Sequence, residues 1–344
     1  RWQLRAASGE TFAADVVVAA TGVLHQPRIP DIPGLDSFAG AAFHSARWDE
    51  SVPLDGRRVA VIGTGSSGVQ IVTELSKRAA KVTQFQRSAQ WIAPVPNYTY
   101  TSAFKRVLHR FPGLNALRYR GTAMQYGLFT TAVVRPGWQR RLIQAVCRLN
   151  LLTIRDRDLR RRMTPDYEPM CRRLIVSAGY YRAIQRPNVE VVDAGIDHVE
   201  PRGIVTRDGR LHEFDVIALA TGFDAHAFVR PMTVTGYDGL TLEEAWADGP
   251  HAHRTVTLPG FPNLFLMLGP NSPIGNTSLV PLAESQADFV VRWVQRIASG
   301  RVRHVARTAE ATAAFNRSIR DNMHDTVWVT GCDCDELNGD WMAC

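Results

Sequence analysis

The run Gly63-Thr64-Gly65-Ser66-Ser67-Gly68 has the residue types and spacing to grip a pyrophosphate. The first glycine permits a tight turn, the second lets the backbone reach the phosphates, and the third lets a helix lie close to the preceding strand. The amino end of that helix then offers unpaired N–H groups and a positive dipole. Such a pattern is informative only between a strand and a helix, and the flanks supply both: residues 57–62 read as a strand, 69 to about 79 as a helix, and 81–87 as a second strand. The end of the second strand selects the nucleotide. A carboxylate there would hold a ribose 2'-hydroxyl; this chain has Arg87 and Ser88, which suit a 2'-phosphate, so NADP(H) is the expected ligand. The competing reading of Arg87 is a solvated strand end.

The elements that must position these residues show a long-range repeat. Asp15-Val-Val-Val-Ala-Ala-Thr21-Gly22 recurs as Asp215-Val-Ile-Ala-Leu-Ala-Thr221-Gly222, each a hydrophobic strand ending in a glycine that allows a sharp turn or close approach to a ligand. A repeat this far apart implies two related nucleotide-binding domains of α/β type. Further strands are expected at 14–20, after a turn at Gly9, and at 188–193, 203–206, 214–220 and 258–268; a long helix is expected over 278–299. The Pro-rich piece around Pro94 and Pro96 breaks the alternation. Residues 100–162 then read as irregular, Arg-rich helices. There Leu142, Val146 and Leu149 form an apolar stripe beside arginines. An interfacial membrane helix has this spacing, but so does any helix packed on a domain. Packing is the preferred reading, and membrane contact is not expected. The last twenty residues, rich in Asp and Cys, carry no assignment.

Composition sets the outer bounds. A chain of 344 residues, 45% apolar and 21% charged, has globular composition and length for about two domains. Lys and Arg number 40 against 33 Asp and Glu; a net charge of +7 suits a phosphorylated cofactor and is too modest to indicate nucleic acid. Five cysteines, at 147, 171, 332, 334 and 344, make no disulfide framework, and a reducing, cytoplasmic setting is expected. Cys332-Asp-Cys334 lacks a second soft-ligand pair, so no metal is expected. No uninterrupted apolar run approaches the roughly 20 residues of a membrane span. The first nine residues read as the interior of a sheet rather than a signal peptide, and an upstream portion is expected.

Residues 38–49, Phe38-Ala-Gly40-Ala-Ala-Phe-His44-Ser-Ala-Arg-Trp48-Asp49, resemble the fingerprint of type I Baeyer–Villiger monooxygenases, Phe-x-Gly-x-x-x-His-x-x-x-Trp followed by Pro or Asp. Flavin-containing monooxygenases that oxidise nitrogen or sulfur typically carry Tyr where this chain has Trp48. The resemblance extends through Thr21-Gly22, residues 26–34, the glycine loop, Thr221-Gly222-Phe223-Asp224 and residues 260–265. It points to the 4-hydroxyacetophenone monooxygenase-like subgroup. It implies two Rossmann-like domains, with the FAD domain split around an NADP domain that carries a helical insertion. On that division residues 1–52 are the rest of the first FAD segment and a linker. Residues 53–225 are the NADP domain, with its insertion at about 96–165, and residues 226–344 are the second FAD segment. The FAD glycine loop is expected upstream of Arg1.

By the same resemblance, residues 163–173 are similar to a family segment ending Gly-Cys-Lys-Arg. This places Arg173 over the flavin as the catalytic residue and Arg172 where a lysine contacts NADP. On composition alone the two are a solvated basic pair. Phe38, Gly40, His44, Trp48 and Asp49 are expected in the linker, with His44 structural or gating. Asn276 and Ser278 are expected beside the flavin, although relatives commonly have His at the former. The tail departs from the family: Gly331-Cys332-Asp333 is not followed by the usual Ser-Trp-Tyr, and neither Trp328 nor Trp341 has matching spacing. The implied reaction is NADPH-dependent insertion of one oxygen atom from O2 into ketones or aldehydes through a C4a-peroxyflavin. A fixed guanidinium would stabilise the anionic oxygen species. Alternatives are N- or S-oxidation and a non-catalytic NADP-binding fragment. The expected assembly is a monomer or homodimer.

Overall fold

The computed structural model describes residues 1–272 and 278–330. The chain opens with the hairpin β1 (Trp2–Arg5) and β2 (Thr11–Ala14), followed by β3 (Val17–Ala19) and β4 (Ala41–His44). Next come β5 (Arg58–Ile62), α1 (Ser66–Leu75), β6 (Lys81–Phe85) and the short β7 (Ile92–Ala93). Four helices follow: α2 (Ser102–Arg110), α3 (Pro112–Val134), α4 (Trp138–Leu151) and α5 (Arg157–Arg162). Then come β8 (Ile175–Val176), α6 (Tyr180–Ala183), β9 (Val189–Val192), β10 (Ile196–Glu200), β11 (Gly203–Thr206), β12 (Leu211–Glu213) and β13 (Val216–Leu219). The last part holds α7 (Leu242–Ala245), β14 (Leu264–Leu266), α8 (Leu279–Ala298), α9 (Ala309–Asp321) and α10 (Val327–Thr330).

The principal sheet is parallel, in the order β4-β13-β5-β6-β9. Its central strands are Val, Ile and Ala runs buried on both faces, as a parallel sheet covered by other elements requires. On one face α1 packs through Val69, Val72 and Leu75, joined by Trp91, Ile92, Tyr180 and Ile154 in a single core. On the other, Phe85, Phe214, Ile204 and Ile217 form a second core beneath the β10-β11-β12 meander. A smaller parallel pair, β3 with β14, carries its own core of Ala19, Phe228, Trp246, Leu258 and Phe261. These parallel sheets and helices are the Rossmann-type α/β architecture expected from the sequence.

The expected strand over 14–20 is two strands. The chain bends at Asp15, so β2 closes the hairpin while β3 joins β14. The expected strand over 258–268 shrinks to Leu264–Leu266, because Pro259 and Pro262 have no N–H and Asn263 sits at φ 60. Residues 41–44, which were not expected to be a strand, form an edge of the principal sheet.

The stripe on α4 also departs from expectation. Leu142, Val146 and Leu149 face solvent, and the buried residues are Arg140, Cys147 and Leu151. The cause is Arg140, whose guanidinium donates to the carbonyls of Ala132, Val133 and Asp325 at 2.7, 3.0 and 2.7 Å, tying α4 to the end of α3 through its polar side. Cys147 is free and buried, whereas Cys171 is disulfide-bonded.

Candidate active site

The glycine loop leaves β5 at Gly63, which has φ +119; a Cβ there would lie 2.3 Å from the Ala220 carbonyl oxygen. At Gly68 a Cβ would lie 2.3 Å from the Gly63 oxygen. These two glycines are thus required by the chain's own packing. Gly65 is different: a Cβ there meets nothing within 4 Å, and the residue is exposed at the amino end of α1. No side chain caps that end and no acidic residue lies in its first turn. Its N–H groups and dipole therefore remain available to an anion, and the missing Cβ leaves room for one.

A buried relay that the sequence did not disclose fixes the loop. Gln84 donates from Nε2 to the Gly63 carbonyl at 2.9 Å and accepts at Oε1 from the Tyr180 hydroxyl at 2.6 Å. Both side chains are fully buried. The spacing of 96 residues between them gives no local signal.

At the end of β6, Thr64 donates to the Ser88 carbonyl at 3.0 Å, and Arg172 donates to the Ser88 hydroxyl at 3.1 Å. The structure thereby brings Thr64, Ser88 and Arg172 to one place, with Arg173 next in the chain. Arg87 and Arg173 are exposed and have no hydrogen bond or ion pair among the described residues. Arg172 lies 4.5 Å above the Tyr167 ring, a cation–π contact. Tyr167 is itself anchored: its hydroxyl donates to Gln90 at 2.7 Å, and its carbonyl accepts from the Trp91 indole at 2.6 Å. Burial pushes its hydroxyl up to about 12, so it stays protonated.

The approach to this pair is a turn. The Cys171 N–H bonds the Glu168 carbonyl at 3.1 Å, with Pro169 second and Met170 third at φ 76. That is a type II arrangement, in which the third position normally takes Gly. Met170 keeps it with a fully buried side chain.

Phe38 covers Gly40, where a Cβ would lie 2.4 Å from the Asp215 carbonyl oxygen and 2.7 Å from the Phe38 ring. The Phe-x-Gly spacing is therefore a steric fit of β4 onto the start of β13. His44 is buried. Its Nδ1 accepts the Ala46 N–H at 3.1 Å, which leaves the proton on Nε2, and its ring meets Phe223 edge-on at 5.6 Å. Burial lowers its pKa; the nearby Gly222 backbone opposes that shift only in part, and Nε2 makes no hydrogen bond within normal range. Trp48 packs edge-on against Phe43 at 4.8 Å. Asp49 accepts from the Ser51 N–H and hydroxyl, bonds that hold its carboxyl below the usual range.

Thr21 and Thr221 lie in two antiparallel crossings between the sheets. The Thr21 hydroxyl donates to the Phe228 carbonyl at 2.9 Å, and the Thr221 hydroxyl to that of Arg28 at 2.6 Å. Both hydroxyls are thus engaged, while Gly22 and Gly222, at φ 75 and 81, have open space where a Cβ would stand. Ser278 precedes α8, whose amino end has neither a side-chain cap nor an acidic first turn. Gln286 on that helix accepts from the Leu268 N–H at 2.8 Å and donates to Thr255 at 2.5 Å, shaping the loop after β14. Asn276, Cys332, Cys334 and Trp341 lie outside the described residues; Trp328 packs on the core of the principal sheet. No helix among the described residues is long and apolar enough to cross a membrane.

Comparison with known proteins gives the family. A family model described as flavin-binding monooxygenase-like matches residues 5–110. An uncharacterized monooxygenase of Mycobacterium tuberculosis H37Rv is 57% identical over 341 residues, which cover 99% of this chain and 69% of that protein. A Baeyer–Villiger monooxygenase of Streptomyces coelicolor is 38% identical over 96% of this chain and 64% of its own length. The crystal structure of cyclohexanone monooxygenase from Rhodococcus sp. Phi1 bound to NADP+ matches with a TM-score of 0.83 at 29% identity, covering 95% of this chain and 68% of that one. The chain therefore belongs to the flavin-binding monooxygenase-like family, in the company of the Baeyer–Villiger monooxygenases.

Proposed function

We propose that the protein uses NADPH and O2 to insert one oxygen atom into a ketone or aldehyde. The balance is ketone, O2, NADPH and a proton giving ester, NADP+ and water. The observation that carries this reading is the bond from Arg172 to Ser88, which joins the Arg172-Arg173 segment to the seat of the coenzyme. In that seat the open Gly65 position and the free amino end of α1 receive the pyrophosphate. Arg87, Ser88 and Arg172 receive the 2'-phosphate, and no carboxylate among the described residues is paired with either arginine.

The residues present also fit a flavin. The uncapped amino end of α8 and the loop held by Gln286 offer an anion-compatible edge beside β14, and Gly22 leaves backbone open just beyond β3. When bound, FAD supplies oxygen activation. The Arg173 guanidinium would stabilise the negative charge that develops on oxygen during insertion. His44, neutral by burial, positions the Gly222 crossing rather than moving a proton.

The test is NADPH oxidation by the full-length protein with a panel of ketones, coupled to detection of ester. Ester formed in step with NADPH consumption supports the reading. Substrate-stimulated NADPH loss that yields only hydrogen peroxide, or sulfoxide from sulfides with no ester from any ketone, overturns it.

A further inference from the structure

Helices α2, α3 and α4 each present apolar side chains that nothing among the described residues covers. On α4, Trp138, Leu142 and Leu149 share one side by their spacing of four and seven, and are 64%, 55% and 64% exposed. The opposite side, Arg140, Cys147 and Leu151, holds the helix to the body. On α3, Leu117 and Met124 are each 67% exposed. Along α2, exposed Phe104 and Val107 lie on one side, with Lys105, Arg106 and Arg110 around the other.

The charge of this region is one-sided. From Leu75 to Arg155 the sequence contains no Asp or Glu, and residues 96–155 alone carry 10 Lys and Arg. Arg148 pairs with Glu168, and Arg140 is held by carbonyls. Lys105, Arg106, Arg110, Arg120, Arg135 and Arg141 have no carboxylate partner among the described residues.

An apolar side bordered by unpaired guanidinium groups is complementary to one kind of surface. A second copy meeting it through the same face would set these cations against each other with no acid to answer them. An anionic lipid bilayer answers both features: the aromatic and aliphatic side chains enter the acyl boundary and the basic groups meet headgroup phosphates. We propose that α2, α3 and α4 form a docking arm that lays the enzyme on an anionic membrane surface. The contact is interfacial, consistent with the absence of a spanning helix among the described residues. It does not depend on the reaction assigned above.

The experiment is flotation of the full-length protein with vesicles of phosphatidylcholine containing phosphatidylglycerol, and with vesicles of phosphatidylcholine alone. The protein is expected to float with the first, to be released by raised salt, and to stay behind with the second. The triple variant Trp138→Ser, Leu142→Ser, Leu149→Ser is expected to lose at least about tenfold in partitioning. Arg106→Glu with Arg110→Glu is expected to lose about fivefold or more for each residue. Unchanged circular dichroism and NADPH binding in these variants exclude misfolding. Three results overturn the proposal: failure of the full-length chain to float with anionic vesicles, undiminished flotation of the triple variant, or a concentration-dependent dimer that the triple variant abolishes.

Discussion

The glycine loop and the basic cluster beside it are built in opposite ways. In the loop, nearly every group is held by the chain itself: Gly63 and Gly68 have no room for a Cβ, and the Gly63 carbonyl is fixed by Gln84 and Tyr180. In the cluster, Arg87 and Arg173 have no partner among the described residues, and Arg172 has a hydroxyl and an aromatic face but no carboxylate. On the proposed function, the seat for the phosphates is made in advance by backbone, and the charges that would recognise the rest of the ligand are left for binding to complete. Substitutions in the two regions should separate accordingly, with fold sensitive to the first and ligand chemistry to the second.

The sharpest break is expected at Arg173. Arg173→Ala should leave NADPH-driven flavin reduction in place while ester formation falls by about a hundredfold to a thousandfold, the scale of losing a preorganised charge. Retained ester formation would remove Arg173 from the reaction. Within the loop, Gly63→Ala introduces both a left-handed alanine and a clash, and should lower the urea midpoint by the equivalent of about 2 kcal/mol or more. Gly65→Ala should keep the wild-type midpoint yet weaken NADPH binding by about tenfold or more, since its methyl enters space reserved for the ligand. Normal NADPH binding by Gly65→Ala would contradict the assignment.

Next in size, Arg87→Ala should reduce the preference for NADPH over NADH by about tenfold to a hundredfold, through loss of charged hydrogen bonds to the 2'-phosphate. An unchanged ratio of kcat/KM for the two coenzymes would return Arg87 to the role of a solvated strand end. Tyr180→Phe leaves the Gln84 carbonyl unpaired in the core and should cost about 1–2 kcal/mol of stability.

The smallest effect is pH dependence. Burial lowers the pKa of His44, His212 and His253 below the ordinary 6.5, so the unfolded chain binds more protons than the folded one below that value. Stability from these sites is complete above about 6.5 and falls as pH drops toward their folded pKa values. His44→Gln should flatten that acid slope in urea titrations; an unchanged slope would show that His44 does not contribute to it.

What was legible in the sequence was mainly steric. Gly63 and Gly68 announce a turn because a Cβ at either would clash, with Gly65 in open space between them, and Arg87-Ser88 stands at a fixed offset along the next strand. The Phe38 to Gly40 spacing could be read only as a family likeness, and its cause is now the contact of ring, glycine and the Asp215 carbonyl. Partners distant in sequence were illegible: Gln84 with Tyr180, or Thr21 with Phe228, follow from topology rather than local pattern. The α4 stripe misled because helical periodicity says which residues share a side but not which side faces the body. Arg140 decided that by finding three carbonyls. The turn before Arg172 was hidden for a related reason, since Met170 holds a conformation that composition assigns to glycine.

The two crossings that join the sheets have a mechanical consequence. They run antiparallel and are laced to each other: the Arg28 N–H bonds the Gly222 carbonyl at 3.0 Å, the Asp224 N–H bonds that of Gln26 at 2.9 Å, and each threonine ties its strand to the opposite crossing. Two tethers laced side by side resist stretching and sideways slip far better than twist. The two sheets are thus coupled through a pair of laced tethers rather than two separate loops, each entered by a glycine at positive φ, Gly22 and Gly222.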